Sequence, residues 1–262
     1  MKNYHTHTKR CGHATGNDRT YVKNAIRAGF TELGFSDHAP MLFPEDTHYY
    51  SNFRMPVNLC EDYVKSVRAL EKEFKDEIKI YLGFEIEYYP ELFEKTEKYL
   101  AEFDYDYLIL GQHFIGNEYE NGSAYSGSAS DNVDLFDRYI SQAIEGLSTG
   151  KFLYIAHPDL FKWTGSDEIY NSKMTYFCKE IKKLGYPVEF NMLGFTDNRN
   201  YPDKRFWKIV AEVGNDVIIG IDAHSPLSLI RKLSLKMANK YLHDLGITPL
   251  DGLKIEKKTD LE

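Results

Sequence analysis

The chain has little cysteine and no long apolar run. Its three cysteines, Cys11, Cys60 and Cys178, are odd in number and widely spaced. That excludes a disulfide framework and fits a reduced, intracellular protein. No stretch approaches the roughly 18 apolar residues of a membrane span. The opening MKNYH lacks the apolar core of a secretory signal. An excess of positive charge is also missing: 32 Lys and Arg face 40 Asp and Glu, a net charge of −8. Neither nucleic acid nor an anionic membrane is therefore expected as the main partner. A small anionic substrate stays open, because bound metal ions can outweigh the global field. Repeats, linkers and low-complexity segments are absent as well. The expectation is one cytoplasmic domain over residues 1–262, with 251–262, DGLKIEKKTDLE, as a solvated tail; oligomeric state is not legible.

What the chain does have is apolar material, 42% of residues with 15% aromatic, enough for a full core. Short apolar runs read as strands at Asn3–His5, Glu32–Ser36, Ile78–Phe84, Tyr107–Gly111, Phe152–Ala156, Pro187–Asn191 and Val217–Ile221. Helical spacing fills the intervals, as in DRTYVKNAIRAGF and NLCEDYVKSVRALEKEF, and over about 91–102, 131–149, 168–184, 203–214 and 226–244. Gly29, Gly185 and Gly214 sit where C-caps are expected, and Asp131 and Ser166 where N-caps are. About seven strand–helix units in alternation predict an α/β fold with a parallel sheet and right-handed crossovers. Segments 39–57 and 116–130 read as long loops, which in a compact domain are usually functional or mobile.

Three of the nine histidines fall in HTHTKRCGHA, residues 5–14. A single histidine at a strand end most often just satisfies hydrogen bonds. Here the pattern repeats. His5, His7 and His13 follow the first strand, and His38 the second, in GFSDHAP. Glu85 ends the third in YLGFEIEY, and His113 follows the fourth in LILGQHF. His157 follows the fifth in FLYIAHPDL, and Asp222 and His224 the last in VIIGIDAHSP. Only His48 and His243 stand apart. In a parallel α/β barrel the C-terminal ends of the strands build the active site. Imidazoles with carboxylates that can bridge are what divalent metals take. In HxH on an extended segment, residues i and i+2 point the same way, so His5 and His7 can clasp one ion. Cys11 lies inside this cluster as a further conceivable ligand, with loop packing the simpler role.

These motifs resemble the polymerase-and-histidinol-phosphatase (PHP) superfamily, and within it the PHP-type histidinol-phosphate phosphatases. The resemblance runs from residue 4 to about 230 and occupies all nine ligand positions. It is supported by VEFNMLGFTDNRNYPDKRFWKIV, a strand, an asparagine and a loop with a basic residue before YP and a helix. The resemblance implies a distorted (β/α)7 barrel of TIM-like kind, with two or three divalent ions (Zn, Fe or Mn) at the C-terminal face of its strands. His5, His7, Glu85 and Asp222 would hold the first ion. Glu85 would bridge to a second, with His113 and His157, and His13, His38 and His224 would hold the third.

Such a centre suits hydrolysis of a small phosphomonoester. The ions bridged by Glu85, with Asp222 beside them, would lower the pKa of a shared water and hold it as hydroxide for in-line attack. Arg199 and Lys162, each in a loop beside a ligand-bearing strand, are candidate phosphate clamps, and Arg19 a weaker one. Asp159 is either the general acid or a partner that orients His157; Asp37 has the same two readings, the second favoured. L-Histidinol phosphate would need a carboxylate and an apolar wall, for which Asp18, Asp197, Phe114, Phe161, Trp163 and Phe195 are available. Competing expectations are another phosphoesterase on the same barrel (acting on phosphotyrosine, nucleotides or sugar phosphates), a polymerase-type exonuclease module, and a non-catalytic metal-binding domain.

Overall fold

A computed structural model describes residues 1–256. Four strands form a parallel sheet in chain order: β1 (Lys2–Asn3), β2 (Glu32–His38), β3 (Lys79–Ile86) and β4 (Tyr107–Leu110). Residues 114–115 (β5) and 124–125 (β6) make a small antiparallel hairpin above it. Val188–Asn191 (β7) and Val217–Gly220 (β8) form a second parallel pair.

Residue 155 joins the two sheets. Ile155 bridges Leu110 on one side and Val188 on the other, both in parallel. The seam closes where Thr6 bridges Ala223, with His7 N donating to Ala223 O at 3.0 Å and Ala223 N to His5 O at 3.2 Å. The result is a closed ring of seven parallel chain segments, the distorted (β/α)7 barrel. The fifth segment, Phe152–Ala156, is not a regular strand. It is extended chain hydrogen-bonded to both neighbours, with Ala156 N on Leu110 O and Glu189 N on Ile155 O.

Helices α1 (Asp18–Ala28), α2 (Cys60–Glu73), α3 (Phe93–Ala101), α4 (Val133–Ser148), α5 (Asp167–Leu184), α6 (Met192–Asp197), α7 (Lys204–Val213) and α8 (Lys232–Asp244) lie between and after the strands. Ser166 caps α5, and Gly29, Gly185 and Gly214 end their helices with positive φ. Asn132, not Asp131, caps α4, because its side chain accepts from Asp134 N and Leu135 N. The segment 226–244 divides at Arg231 into a 3-10 turn and α8. No described helix is long and apolar enough to cross a membrane.

Two clusters of apolar side chains separate the faces of the strands. Leu33, Phe35, Ile80, Leu82, Phe84, Leu108 and Leu110 join the outer helices. Tyr81, Tyr107, Ile109, Tyr154, Ala156 and Ile218 pack with Tyr4 inside the barrel. The Tyr107 ring fits only because Gly34 and Gly83 leave room for it, and its hydroxyl donates to Tyr4 O and Phe35 O. Below these tyrosines the chain returns: Leu250, Leu253 and Ile255 pack on the same cluster, and Leu253 N donates to Tyr4 Oη at 3.1 Å. The expected solvated tail is thus bound as far as Ile255, because its apolar residues cover the floor of the barrel. Residues 257–262 lie outside the described residues.

Candidate metal centre

Strand period places the site. Tyr81, Gly83 and Glu85 alternate along β3 and Glu87 continues the alternation just past its end, so a tyrosine that fills the barrel is followed at period two by two carboxylates. The β2–β3 register sets His38 opposite Glu85. Glu85 is 1% exposed and stands at the centre of five imidazoles. Its Oε2 lies 3.4 Å from His5 Nε2, 3.4 Å from His7 Nε2 and 3.2 Å from His38 Nδ1. Its Oε1 lies 2.9 Å from His157 Nε2 and 3.5 Å from His113 Nε2. Asp222 Oδ1 approaches His7 Nε2 at 3.0 Å, His224 Nδ1 at 3.2 Å and His5 Nε2 at 3.5 Å. His13 stacks on His224 at 4.9 Å between centroids and sits 5.2 Å from His38. All nine expected ligands therefore meet. His48 and His243 are exposed and outside the cluster.

Several features are costly unless a cation is held here. Among the described residues, His7 Nδ1, His38 Nδ1, Glu85 Oε2, His157 Nδ1 and Asp222 Oδ1 are buried without a hydrogen-bond partner; leaving such groups unsatisfied costs about 1–3 kcal/mol each. His5 Nε2 and His7 Nε2 face each other at 3.1 Å. His157 and Asp222 both adopt positive φ, 30° and 51°, a strained backbone for non-glycine residues. A Cβ at Gly111 would overlap the Glu85 carboxylate, and one at Gly220 would overlap Glu189, so the two glycines make room for buried charge. Burial opposes ionisation of Glu85 and Asp222. The surrounding imidazoles win, led by His113 and His5 at Glu85 and by His5 and His224 at Asp222, and hold both carboxyls well below the usual range. Burial likewise works to lower His7, but Asp222 and Asp37 push it up to about 9. A donor set of this kind fits divalent cations.

A second tier of buried groups orients the ring nitrogens. Glu189 Oε1 lies 2.7 Å from His5 Nδ1, and its Oε2 accepts from His157 N and Asn191 Nδ2. Asn191 Nδ2 also donates to Asp222 Oδ2 at 3.0 Å. Glu87 Oε1 lies 2.8 Å from His113 Nδ1, and its Oε2 accepts from Arg54 Nη1; Arg54 Nε in turn donates to Glu118. Asp37 Oδ1 lies 3.4 Å from His7 Nδ1, nearer that ring than the neighbouring His38 and without a hydrogen bond to it. Glu87, Glu189 and Arg54 were not anticipated from the sequence.

The cluster floors a cavity of about 300 Å3, walled by Phe53, Tyr125, Leu193, Asp197, Arg199 and Tyr201. Arg199 stands at its rim, where Nη1 donates to Tyr201 Oη at 3.2 Å. The other expected contributors fall elsewhere. Lys162 is exposed and does not line the cavity; its backbone bonds to Ser126 and Ser130. Arg19 is on the outer surface, paired with Glu73. Asp159 is buried away from the cavity and accepts from Asp203 N at 2.8 Å and Trp207 Nε1 at 3.0 Å. It does not line the cavity, and its carboxylate is taken up by the start of α7 rather than by the His157 ring. Phe161 and Trp163 stack on Phe136 in the outer core, Phe195 packs on Phe190, and Asp18 pairs with Arg10. Phe114 does not line the cavity but backs two of its walls, Phe53 at 5.4 Å and Tyr125 at 5.7 Å between centroids. Cys11 gives its thiol to Thr8 O, and burial raises its pKa strongly.

Comparison with known proteins fits this geometry. The PHP domain model matches residues 3–193, most of the chain. A Deinococcus radiodurans protein named "Probable histidinol-phosphatase" is 30% identical over 229 residues, 85% of each chain. A Schizosaccharomyces pombe protein of the same name is 26% identical over 98% of this chain and 90% of its own length. In fold, the histidinol phosphate phosphatase HisK of Lactococcus lactis, solved with zinc, L-histidinol and phosphate, superposes with a TM-score of 0.72 at 19% identity, covering 98% of both chains. The hisK protein of Listeria monocytogenes gives 0.70 at 22% identity, over 90% of this chain and 99% of its own. The chain belongs to the PHP domain family.

Proposed function

We propose that the chain is a metal-dependent phosphomonoesterase that cleaves L-histidinol phosphate to L-histidinol and phosphate, a cytoplasmic step of histidine biosynthesis. One observation carries the reading: nine imidazole and carboxylate side chains from six strand ends meet, seven of them lining a cavity with a guanidinium at its rim. The names of the relatives support the substrate. By the family's pattern His5, His7, Glu85 and Asp222 would hold one ion, Glu85, His113 and His157 a second, and His13, His38 and His224 a third. The zinc in the Lactococcus enzyme favours zinc over iron or manganese. Bound there, divalent ions supply Lewis acidity, which makes water more acidic and draws charge from phosphate oxygens.

The chain's own groups position the ester. Arg199 can offer two parallel hydrogen bonds to phosphate oxygens. Phe53, 4.7 Å from both His38 and His113, and Tyr125 wall the cavity where the organic half of the substrate would lie. Asp197, at the rim, offers a carboxylate to the ammonium of histidinol. The test is phosphate release from a panel of histidinol phosphate, phosphotyrosine, a nucleotide and a sugar phosphate by metal-reconstituted protein. The highest kcat/KM is expected on histidinol phosphate. A clear preference for another ester would keep the phosphatase chemistry and replace the substrate.

A further inference from the structure

Phe53 and Arg54 are neighbours in the chain with different surroundings. Phe53 lines the cavity over the metal cluster, 4.7 Å from both His38 and His113 between ring centroids. Arg54 does not line it and is buried, with Nη1 on Glu87 Oε2 at 2.7 Å and Nε on Glu118 Oε1 at 2.8 Å. Glu87 follows β3, and its other oxygen, Oε1, lies 2.8 Å from His113 Nδ1. Glu118 sits in the connection between β5 and β6, and β6 carries Tyr125, another wall of the same cavity. Rings cross the same gap. Tyr119 packs on Phe43 at 5.9 Å and on Tyr49 at 6.4 Å, and Phe53 on Tyr125 at 6.4 Å.

Apolar side chains of similar volume often hold such a junction as well as an ion pair does, because charged groups lose their hydration on burial. What apolar packing does not supply is direction. A guanidinium donates in a fixed planar fork, so its two partners are held at a set angle as well as a set distance. One carboxylate, Glu87, is shared between that fork and His113. The two loops that carry Phe53 and Tyr125 are thereby referred to the metal cluster through a short chain of polar contacts, His113 to Glu87 to Arg54 to Glu118.

We propose that Arg54 is a positioning residue that sets substrate selectivity: with Glu118 it holds the Phe53–Tyr125 wall at the spacing from the metal cluster that accepts the imidazole-bearing half of the ester. The proposal rests on histidinol phosphate as the substrate. Arg54 lines no part of the cavity and acts on the ester through Phe53, and Glu118 acts from the β5–β6 side. A displacement of that wall by about 1 Å is enough to misplace the organic half. The phosphate, held elsewhere in the cavity, is spared. The effect therefore falls on esters that carry a ring and passes over those that do not.

The experiment compares kcat and KM on histidinol phosphate and on glycerol phosphate, which has no ring, using the zinc-reconstituted chain below the unfolding range of each variant. Glu118→Gln should lower kcat/KM for histidinol phosphate by about ten- to a hundred-fold, chiefly through KM. It should leave glycerol phosphate within about twofold of wild type, with the zinc content unchanged. Arg54→Lys, whose ammonium cannot reproduce the fork, should lose the same selectivity. Phe53→Leu alters the wall itself. Combined with Glu118→Gln it should cost no more than the larger single change, because both act through one wall. Equal losses on the two esters, an unchanged KM for histidinol phosphate in Glu118→Gln and Arg54→Lys, or additive losses in the double variant would overturn the proposal and leave the phosphatase chemistry standing. Wild-type protein that cleaves histidinol phosphate no better than glycerol phosphate would instead remove the substrate reading, and the proposal with it.

Discussion

Arg54 Nη1 lies 2.7 Å from Glu87 Oε2, and neither side chain is more than 2% exposed. The guanidinium is forked, since its Nε holds Glu118 at 2.8 Å. One cation therefore ties the 39–57 loop to the loop between β5 and β6, and through Glu87 to His113. Arg54→Met strands two buried carboxylates, and breaking such a pair costs about 3–5 kcal/mol. Chemical denaturation should show a loss of that size. Arg54→Lys should recover only part of it, because an ammonium cannot reproduce the fork. An unchanged midpoint in Arg54→Met would mean the pair contributes nothing.

Glu85 touches imidazoles through both oxygens, so its loss should disturb more than one ion. Glu85→Ala is expected to lose more than one metal equivalent by elemental analysis. His113→Ala and His157→Ala should each lose metal, while His48→Ala and His243→Ala, on exposed residues, keep the wild-type content. Metal loss in His243→Ala would break the rule that ligands follow strand ends.

For Arg199, removal of the guanidinium should cost roughly 1.5–3 kcal/mol per charge-assisted hydrogen bond. That is a fall of about ten- to several-hundred-fold in kcat/KM for a phosphomonoester. Metal content and thermal stability should hardly move, and Arg199→Lys should restore only part of the rate. Wild-type kinetics in Arg199→Ala would return the residue to the solvated rim.

Asp159 serves as a check on the corrected role. Asp159→Ala leaves Trp207 Nε1 and Asp203 N without an acceptor, at about 1–3 kcal/mol in stability. Asp159→Asn, which keeps an acceptor oxygen, should lose less. Both should retain kcat when assayed below their unfolding range. A kcat collapse in folded Asp159→Asn would restore the acid role.

The thiols give a prediction from burial alone. Burial pushes Cys60 up to about 12 and raises Cys178 strongly as well. Both thiols therefore stay protonated at pH 8, and a disulfide reagent should modify them only after denaturant is added. Rapid labelling of either thiol in the native protein would contradict the packing described.

The strand ends were legible because apolar runs with period two mark both where a strand stops and which way its last side chains face. That is enough to gather His5, His38, Glu85, His113, His157 and Asp222, and to predict the barrel. Glu87 carried a readable signal, two residues after Glu85 and so on the same face. Glu189 did too, as a lone carboxylate inside the apolar run 187–191. Their partners lie on other strands, and pairing across strands is a property of register, which one chain does not spell out. Lys162 and Arg19 failed for a related reason: nearness to a ligand in sequence says nothing about the direction a loop side chain takes. The tail was misread because Leu250, Leu253 and Ile255 are spaced by charge, and their burial depends on a floor of tyrosines donated by four other segments.

The seam between Thr6 and Ala223 gives the centre a place in the life of the chain. His5 and His7 leave the ribosome well before Asp222 and His224, which follow the last strand of the barrel. Until residue 223 is free to lie beside residue 6, the early histidines have no carboxylate from the final strand and no wall on that side. A nascent chain halted before β8 would carry most of the ligands and still lack the assembled cluster. Metal uptake at full strength therefore waits for the last strand to emerge, and pulling on a ribosome-tethered chain should find it only when the exit tunnel has cleared residue 224.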